Sequence, residues 1–268
     1  MSSTVTSTSR LQPGRALFVQ PHYDDVALSC GATAAAWSAA GMQPQVLTVF
    51  ASELVDGMVG RFAAWKHSRW RIEDADTVHA LRRAEDQRAA QILGCGIRWL
   101  GLPDAIYRGD RYPSDDALYG DLHPDEEGLA EHLATEIANL PEWREGCRIF
   151  VPLGVGNHVD HQLVFEAGAR LALRGVEVWA YEDLPYGIHT PASLPRRLAK
   201  LRGRLGEEVA YPVANFLDRK IEAIGAYGSQ LPVIFRFTQD YAAAVRQHAL
   251  AVNHPAGPVE RFWRVAST

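Results

Sequence analysis

Residues 16–31 read ALFVQPHYDDVALSCG, an apolar run that ends in a histidine and two adjacent aspartates before an alanine-rich stretch takes over. Adjacent carboxylates repel each other unless a positive partner holds them, so the segment poses a chemical question as well as a structural one. Outward from it, RALFVQ (15–20) reads as a short buried strand and ALSCGATAAAWSAAG (27–41) as a helix stopped by glycine. PQVLTVFAS (44–52) is apolar and β-branched, a second strand. A strand, a helix and a strand in so short a span form a right-handed βαβ unit, which requires a parallel sheet.

The alternation continues. VHALRRAEDQRAAQILG (78–94) is an amphipathic helix closed by glycine, and IRWLGLPD (97–104) follows as a strand. A helix at 126–140, a strand at 147–156 (CRIFVPLGVG), a helix at 159–175 and a strand at 176–187 (VEVWAYEDLPYG) complete the readable pattern. The expected fold is therefore α/β, a Rossmann-like, mostly parallel sheet with helices on both faces. No repeat and no linker rich in glycine, proline or serine divides it, so 15–268 is read as one domain behind a polar tail at 1–14.

Composition narrows the function. A 268-residue chain that is 47% hydrophobic can build a large core, and its net charge of -5 lacks the basic footprint of a nucleic-acid binder. Cys30, Cys95 and Cys147 stand far apart with no Cys-x-x-Cys pair, against a disulfide framework and against a thiolate metal site. The N-terminus has no apolar core of a signal peptide and no stretch is long enough for a membrane span, so a cytoplasmic protein is expected. A homo-oligomer stays compatible with the chain.

In a parallel sheet, ligands gather outside the carboxyl ends of the strands. His22, Asp24 and Asp25 follow the first strand, and GNHVDHQ, with His158, Asp160 and His161, follows CRIFVPLGVG. Both polar clusters thus fall on one sheet edge. His22 and Asp25 are three residues apart, as are His158 and His161, a spacing that shares a face in a first helical turn. Two imidazoles and a carboxylate with open positions suit a catalytic zinc or ferrous ion. Taken singly, an aspartate there is most simply a helix cap and His158 a core histidine.

These residues resemble a known family. PHYDDV is similar to the Ala-His-Pro-Asp-Asp-Glu signature, and HVDH to the His-Pro-Asp-His signature, of the PIG-L/LmbE-like deacetylases, which remove N-acetyl groups from amino sugars. LRRAEDQRAAQILG (81–94), WLGLPD (99–104), YEDLPYG and KIEAIGAYGSQ resemble further segments. The resemblance implies His22, Asp25 and His161 as ligands of Zn2+ or another divalent ion such as Fe2+. It implies Asp24 as general base, a protonated His158 as the oxyanion's partner and Asp160 as the group that orients it. Arg82 and Asp104 match substrate-contacting positions, although Arg82 could equally pair with Glu85 or Asp86 on its own helix. The implied reaction is hydrolysis of an N-acetylated amino-sugar small molecule to acetate and a free amine, in a bacterial biosynthetic pathway. The excess of arginine over lysine is compatible with a GC-rich genome.

The departures are specific. Tyr23, Val26 and Val159 replace the family's proline, glutamate and second proline, and Gly156 stands where a tyrosine is often found, with Tyr186 as a candidate substitute. Two rival readings remain: a non-haem iron oxygenase, which would use Asp24 and not Asp25 as ligand, and a non-catalytic sugar- or nucleotide-binding module. Two stretches interrupt the alternation. One is MVGRFAAWKHSRWRIEDADT (58–77), read as either a lid or an exposed helix. The other is PRRLAKLRGRLGEE (195–208), read as a basic, solvated helix.

Overall fold

A computed structural model describes residues 11–53, 59–70, 75–126, 128–141 and 146–267, the side chains of 69–70 and 75–78 excepted. The strands are β1 (Ala16–Gln20), β2 (Gln45–Thr48), β3 (Gly96–Trp99), β4 (Arg148–Pro152), β5 (Val178–Tyr181), β6 (Leu205–Pro212) and β7 (Val259–Val265). The helices begin with α1 (Asp25–Ala39), α2 (Arg61–Trp70), α3 (Ala75–Leu93), α4 (Asp115–Leu118), α5 (Leu129–Ala138) and α6 (Val159–Leu173). They continue with α7 (Tyr186–His189), α8 (Ser193–Lys200), α9 (Leu217–Gly225), α10 (Leu231–Ile234) and α11 (Tyr241–Ala251).

The sheet order is β3-β2-β1-β4-β5-β7-β6. The first five strands pair in parallel, as the βαβ reading requires, while β7 runs antiparallel to both β5 and β6. Every residue of β1 is buried, because helices cover both faces of a parallel sheet. The order turns outward in both directions from the β1/β4 pair, so the carboxyl ends of these two strands border the crevice where such a sheet binds ligands.

Helix α1 is buried almost all round, which its alanines permit by letting the backbone lie close to the sheet. It ends two residues before Gly41, whose φ of 80° supplies the left-handed stop. Beneath it Trp37, wholly buried, meets Phe18 and Phe150 edge-on at ring separations of 6.1 and 5.3 Å. Truncating Trp37 to alanine is expected to cost about 3–5 kcal/mol. Midway along α1 the backbone leaves helical geometry at Cys30, and Glu260 of β7 accepts the amides of Ala32 and Thr33 beyond the kink. Lys220, also buried, donates to Glu260 over 2.7 Å and neutralises it.

The structure departs from the sequence reading away from the site. The basic stretch 195–208 is not one helix: α8 ends at Lys200, and β6 begins at Leu205. The β6–β7 pair has no local sequence signal, since its strands meet across a long excursion. The tail at 1–10 lies outside the described residues, while Leu11 is buried in the core beside β1. Positions 58 and 71–74 of the suggested lid also lie outside them; Lys66 of α2 does reach the crevice. Among the described residues no helix is long and apolar enough to cross a membrane.

Candidate active site

The β1–α1 loop is shaped by its own side chains. Gln20 accepts the amide of Val26 and donates to Thr48 and Asp86, tying the loop to β2 and α3. Asp25 reaches back to accept the amide of His22 over 2.8 Å, in the manner of a capping box. Asp24 occupies the N-cap position of α1, yet its side chain makes no capping hydrogen bond. The cap explanation therefore does not account for Asp24, whose carboxyl faces the crevice with 8% exposure.

On the β4–α6 loop, His158 is the N-cap of α6 and His161 lies in its first turn. The Nδ1–H of His161 donates to Asp183 Oδ1 over 2.6 Å, since a carboxylate can only accept. This leaves Nε2 of His161 directed at Asp25 Oδ1, 3.5 Å away. Nδ1 of His22 stands 3.5 Å from the other oxygen of Asp25, while its Nε2 is held by Asp160 Oδ2 at 3.0 Å. The ligand atoms of His22, Asp25 and His161 lie within 4.8 Å of one another.

That donor set fits a divalent ion. Two donors each about 2.1 Å from a tetrahedral ion stand about 3.4 Å apart, close to the two 3.5 Å separations seen here. Both histidines present one free ring nitrogen because a carboxylate holds the other, the arrangement that orients metal-ligating imidazoles. A second grouping of potential ligand atoms, His22, His158 and Asp160, shares the same pocket; neither grouping contains Asp24. The oxygenase reading, which needed Asp24 as ligand, finds no support in this geometry.

Electrostatics separate the paired aspartates. Burial and the neighbouring Asp25 push Asp24 up to about 6. Burial pushes Asp25 up too, but His161 and His22 outweigh it and hold it below the usual carboxylate range. Adjacent carboxylates driven apart in this way are suited to different tasks. His22 stays well above the ordinary imidazole value: burial lowers it, and Asp104, Asp160 and Asp25 more than compensate.

His158 and Asp160 differ from the expectation. Asp160 does not orient His158 through its carboxylate. Its Oδ1 accepts from Arg108 over 2.6 Å, and its Oδ2 faces His22 and accepts the amide of Ala105. Burial pushes Asp160 up, yet Arg108 holds it far below the carboxylate range. His158 is instead set by the backbone amide of Asp160, which donates to its Nδ1 over 3.2 Å. Burial, with His22 and His161 nearby, drives His158 well below the ordinary imidazole value. With Nδ1 taken up as an acceptor, Nε2–H is the donor left to it, and the direction of the shift runs against the protonated group expected.

The remaining candidates line the same crevice, a cavity of about 160 Å³. Asp104 caps a short 3-10 turn and sits 3.4 Å from His22 Nε2. Arg82 lies over the Tyr23 ring at 5.0 Å, with its Nε buried and unpaired among the described residues. Glu85 and Asp86 are taken by Ser229 and by a Gln20–Thr48–Trp99–Tyr227 cluster, so neither pairs with Arg82. Tyr186 stands against the loop at Gly156, where an added Cβ would come within 2.4 Å of its ring. Its ring meets those of Tyr119 and His161 edge-on.

Sequence reasoning missed Asp183, Arg108 and Tyr119. Asp183 had a signal, an acidic residue just past a strand on the same sheet edge as both clusters. Arg108 and Tyr119 come from the irregular segment after β3, where nothing periodic marks them.

Comparison with known proteins follows this geometry. Residues 17–172 match the family described as PIG-L: GlcNAc-PI de-N-acetylase. A 2'-N-acetylparomamine deacetylase of Streptomyces fradiae is 33% identical over 236 residues, 84% of this chain and 76% of that protein. One of the same name from Niallia circulans is 28% identical over 80% of this chain and 82% of its own length. The crystal structure of the A40926 pseudoaglycone deacetylase Dbv21 superposes with a TM-score of 0.77 at 28% identity, covering 96% of this chain and 98% of that one. The matched region spans both loops that build the crevice, and the chain belongs to the PIG-L family of de-N-acetylases.

Proposed function

We propose that this protein is a divalent-metal N-deacetylase acting on an N-acetylated amino sugar of a biosynthetic intermediate, releasing acetate and a free amine. The convergence of His22, Asp25 and His161, with Asp24 uncommitted beside them, is the observation that carries this reading. Relatives named as deacetylases of 2'-N-acetylparomamine and of the A40926 pseudoaglycone support the substrate class. We assign 15–268 to one catalytic domain working in the cytoplasm, and zinc as the first ion to test, with ferrous iron second.

Bound at His22, Asp25 and His161, a divalent ion supplies Lewis acidity, which acidifies water and polarises a carbonyl. The chain's own groups do the rest. Asp24, raised to about 6, is poised near neutrality to take a proton from the attacking water and return it to the departing nitrogen. Neutral His158 donates from Nε2 to the carbonyl oxygen as charge develops there. Arg82, Asp104 and Tyr186 border the space left for the sugar.

The test is metal content and acetate release from 2'-N-acetylparomamine and a panel of N-acetylglucosaminides, wild type beside Asp25→Ala. One ion per chain, lost in the variant together with acetate release, is the expected result. A well-folded protein that takes up no ion after reconstitution would remove the basis of the mechanism.

A further inference from the structure

Behind the β4–α6 loop lies a second cavity, of about 240 Å³, that shares no catalytic side chain with the first. Its wall carries Arg196, Arg197 and Lys200 of α8, with Ser193, Asn157 and Gly156. Gly156 and the Tyr186 ring pressed against it stand between the two cavities. No lining residue is acidic.

Arg197 is the informative residue. It is only 8% exposed, and its guanidinium lies on Gly154, where an added Cβ would meet Nη2 at 2.8 Å. Nε donates to the carbonyl of Leu153, and the group stands 5.3 Å from the Phe165 ring. Its two Nη groups have no hydrogen-bond partner among the described residues. Arg196 is exposed on the same wall, with no side-chain hydrogen bond or ion pair among the described residues. Among the described residues Lys200 makes only long contacts, 3.3 Å to Asn157 Oδ1 and 4.0 Å to the exposed Asp121. Its nearest carboxylate therefore sits in solvent and screens it weakly.

The charge of Arg197 feels Asp183 and Glu166 behind it, while its two Nη groups, bonded to neither, remain as donors at the cavity wall. Here three cations bound one concave space beside a hydroxyl and an amide. A planar guanidinium fork and an ammonium together match the oxygens of a phosphate group. We infer that this cavity is a binding site for a phosphate-class oxyanion, either free phosphate or the phosphate of a small phosphomonoester. The site is independent of the deacetylase reading.

Calorimetric titration of the full chain with inorganic phosphate and with glucose 6-phosphate tests it. The comparison proteins are Arg196→Ala/Lys200→Ala, whose changes are at exposed positions, and Arg82→Ala in the catalytic cavity. Saturable binding of one ion per chain is expected, weakened about tenfold or more by the double substitution and unchanged by Arg82→Ala. Tighter binding of one ligand than the other identifies the source. No saturable binding of either ligand overturns the inference. Equal affinity in the double variant overturns it too, as does loss in Arg82→Ala alone, which would put the anion in the catalytic cavity.

Discussion

Asp183 Oδ1 stands 2.6 Å from His161 Nδ1, with both side chains 1% exposed, and the other oxygen of Asp183 accepts the amides of Gly154 and Val155. One carboxylate from the end of β5 thus sets the ring of His161 and the loop that leads to it. Asp183→Asn would keep the shape but weaken the acceptor and admit the wrong tautomer. The expected result is a 10- to 100-fold loss of metal affinity, measured by competition with a chelator. Unchanged affinity would show that packing alone holds His161.

Asp24 and His158 border the ion site without belonging to the converging triad of ligands. Asp24→Asn should retain the ion and lose about 10²–10⁴ in turnover. His158→Ala should retain the ion and lose about 10²–10³. His161→Ala, by contrast, should lose the ion as well. Metal analysis beside steady-state rates separates the roles, and ion loss in His158→Ala would move that residue into the ligand set.

Gly156 has a φ of 89°, and the Tyr186 ring fills the space a side chain would need. Gly156→Ala is expected to destabilise the fold by about 1–3 kcal/mol, read as a lower melting temperature. A melting point equal to wild type would mean that Tyr186 is free to move away, against its assignment as a fixed wall of the crevice.

Asp86 is 1% exposed, and burial pushes it up to about 7 despite donors from Tyr227, Thr48, Trp99 and Gln20. The folded state therefore holds its proton at pH values where the unfolded chain, near 3.8, has released it. Stability from this group is full below about 4 and is lost as pH rises through about 7, a change of roughly 4 kcal/mol. Asp86→Asn has no such proton. Its melting temperature should fall less between pH 5 and 8 than that of the wild type, whatever its absolute value. Parallel slopes for the two proteins would refute this account of Asp86.

Much of this protein is determined locally. The apolar runs at β1, β2 and β4, the glycine stops at Gly41, Gly94 and Gly175, and the two polar clusters just past β1 and β4 are all short-range features. They were legible because burial on both faces of a parallel strand and left-handed helix stops leave marks within a few residues. Strand order then follows from connection rules, which is why both clusters could be put on one edge. The motifs carried the family as well.

What only the tertiary structure decided depends on partners distant in sequence. Asp160 was expected to serve His158 beside it, but Arg108, His22 and the Ala105 amide hold its carboxylate. The lowering of His158 below the ordinary imidazole value follows from burial among other histidines, which no spacing reveals. The β6–β7 pair and the grip of Glu260 on the kink in α1 join segments far apart along the chain. The role of Tyr186 rests on a glycine thirty positions earlier that makes room for its ring. Hydrogen bonding and desolvation act between groups that folding brings together, so periodicity carries no record of them.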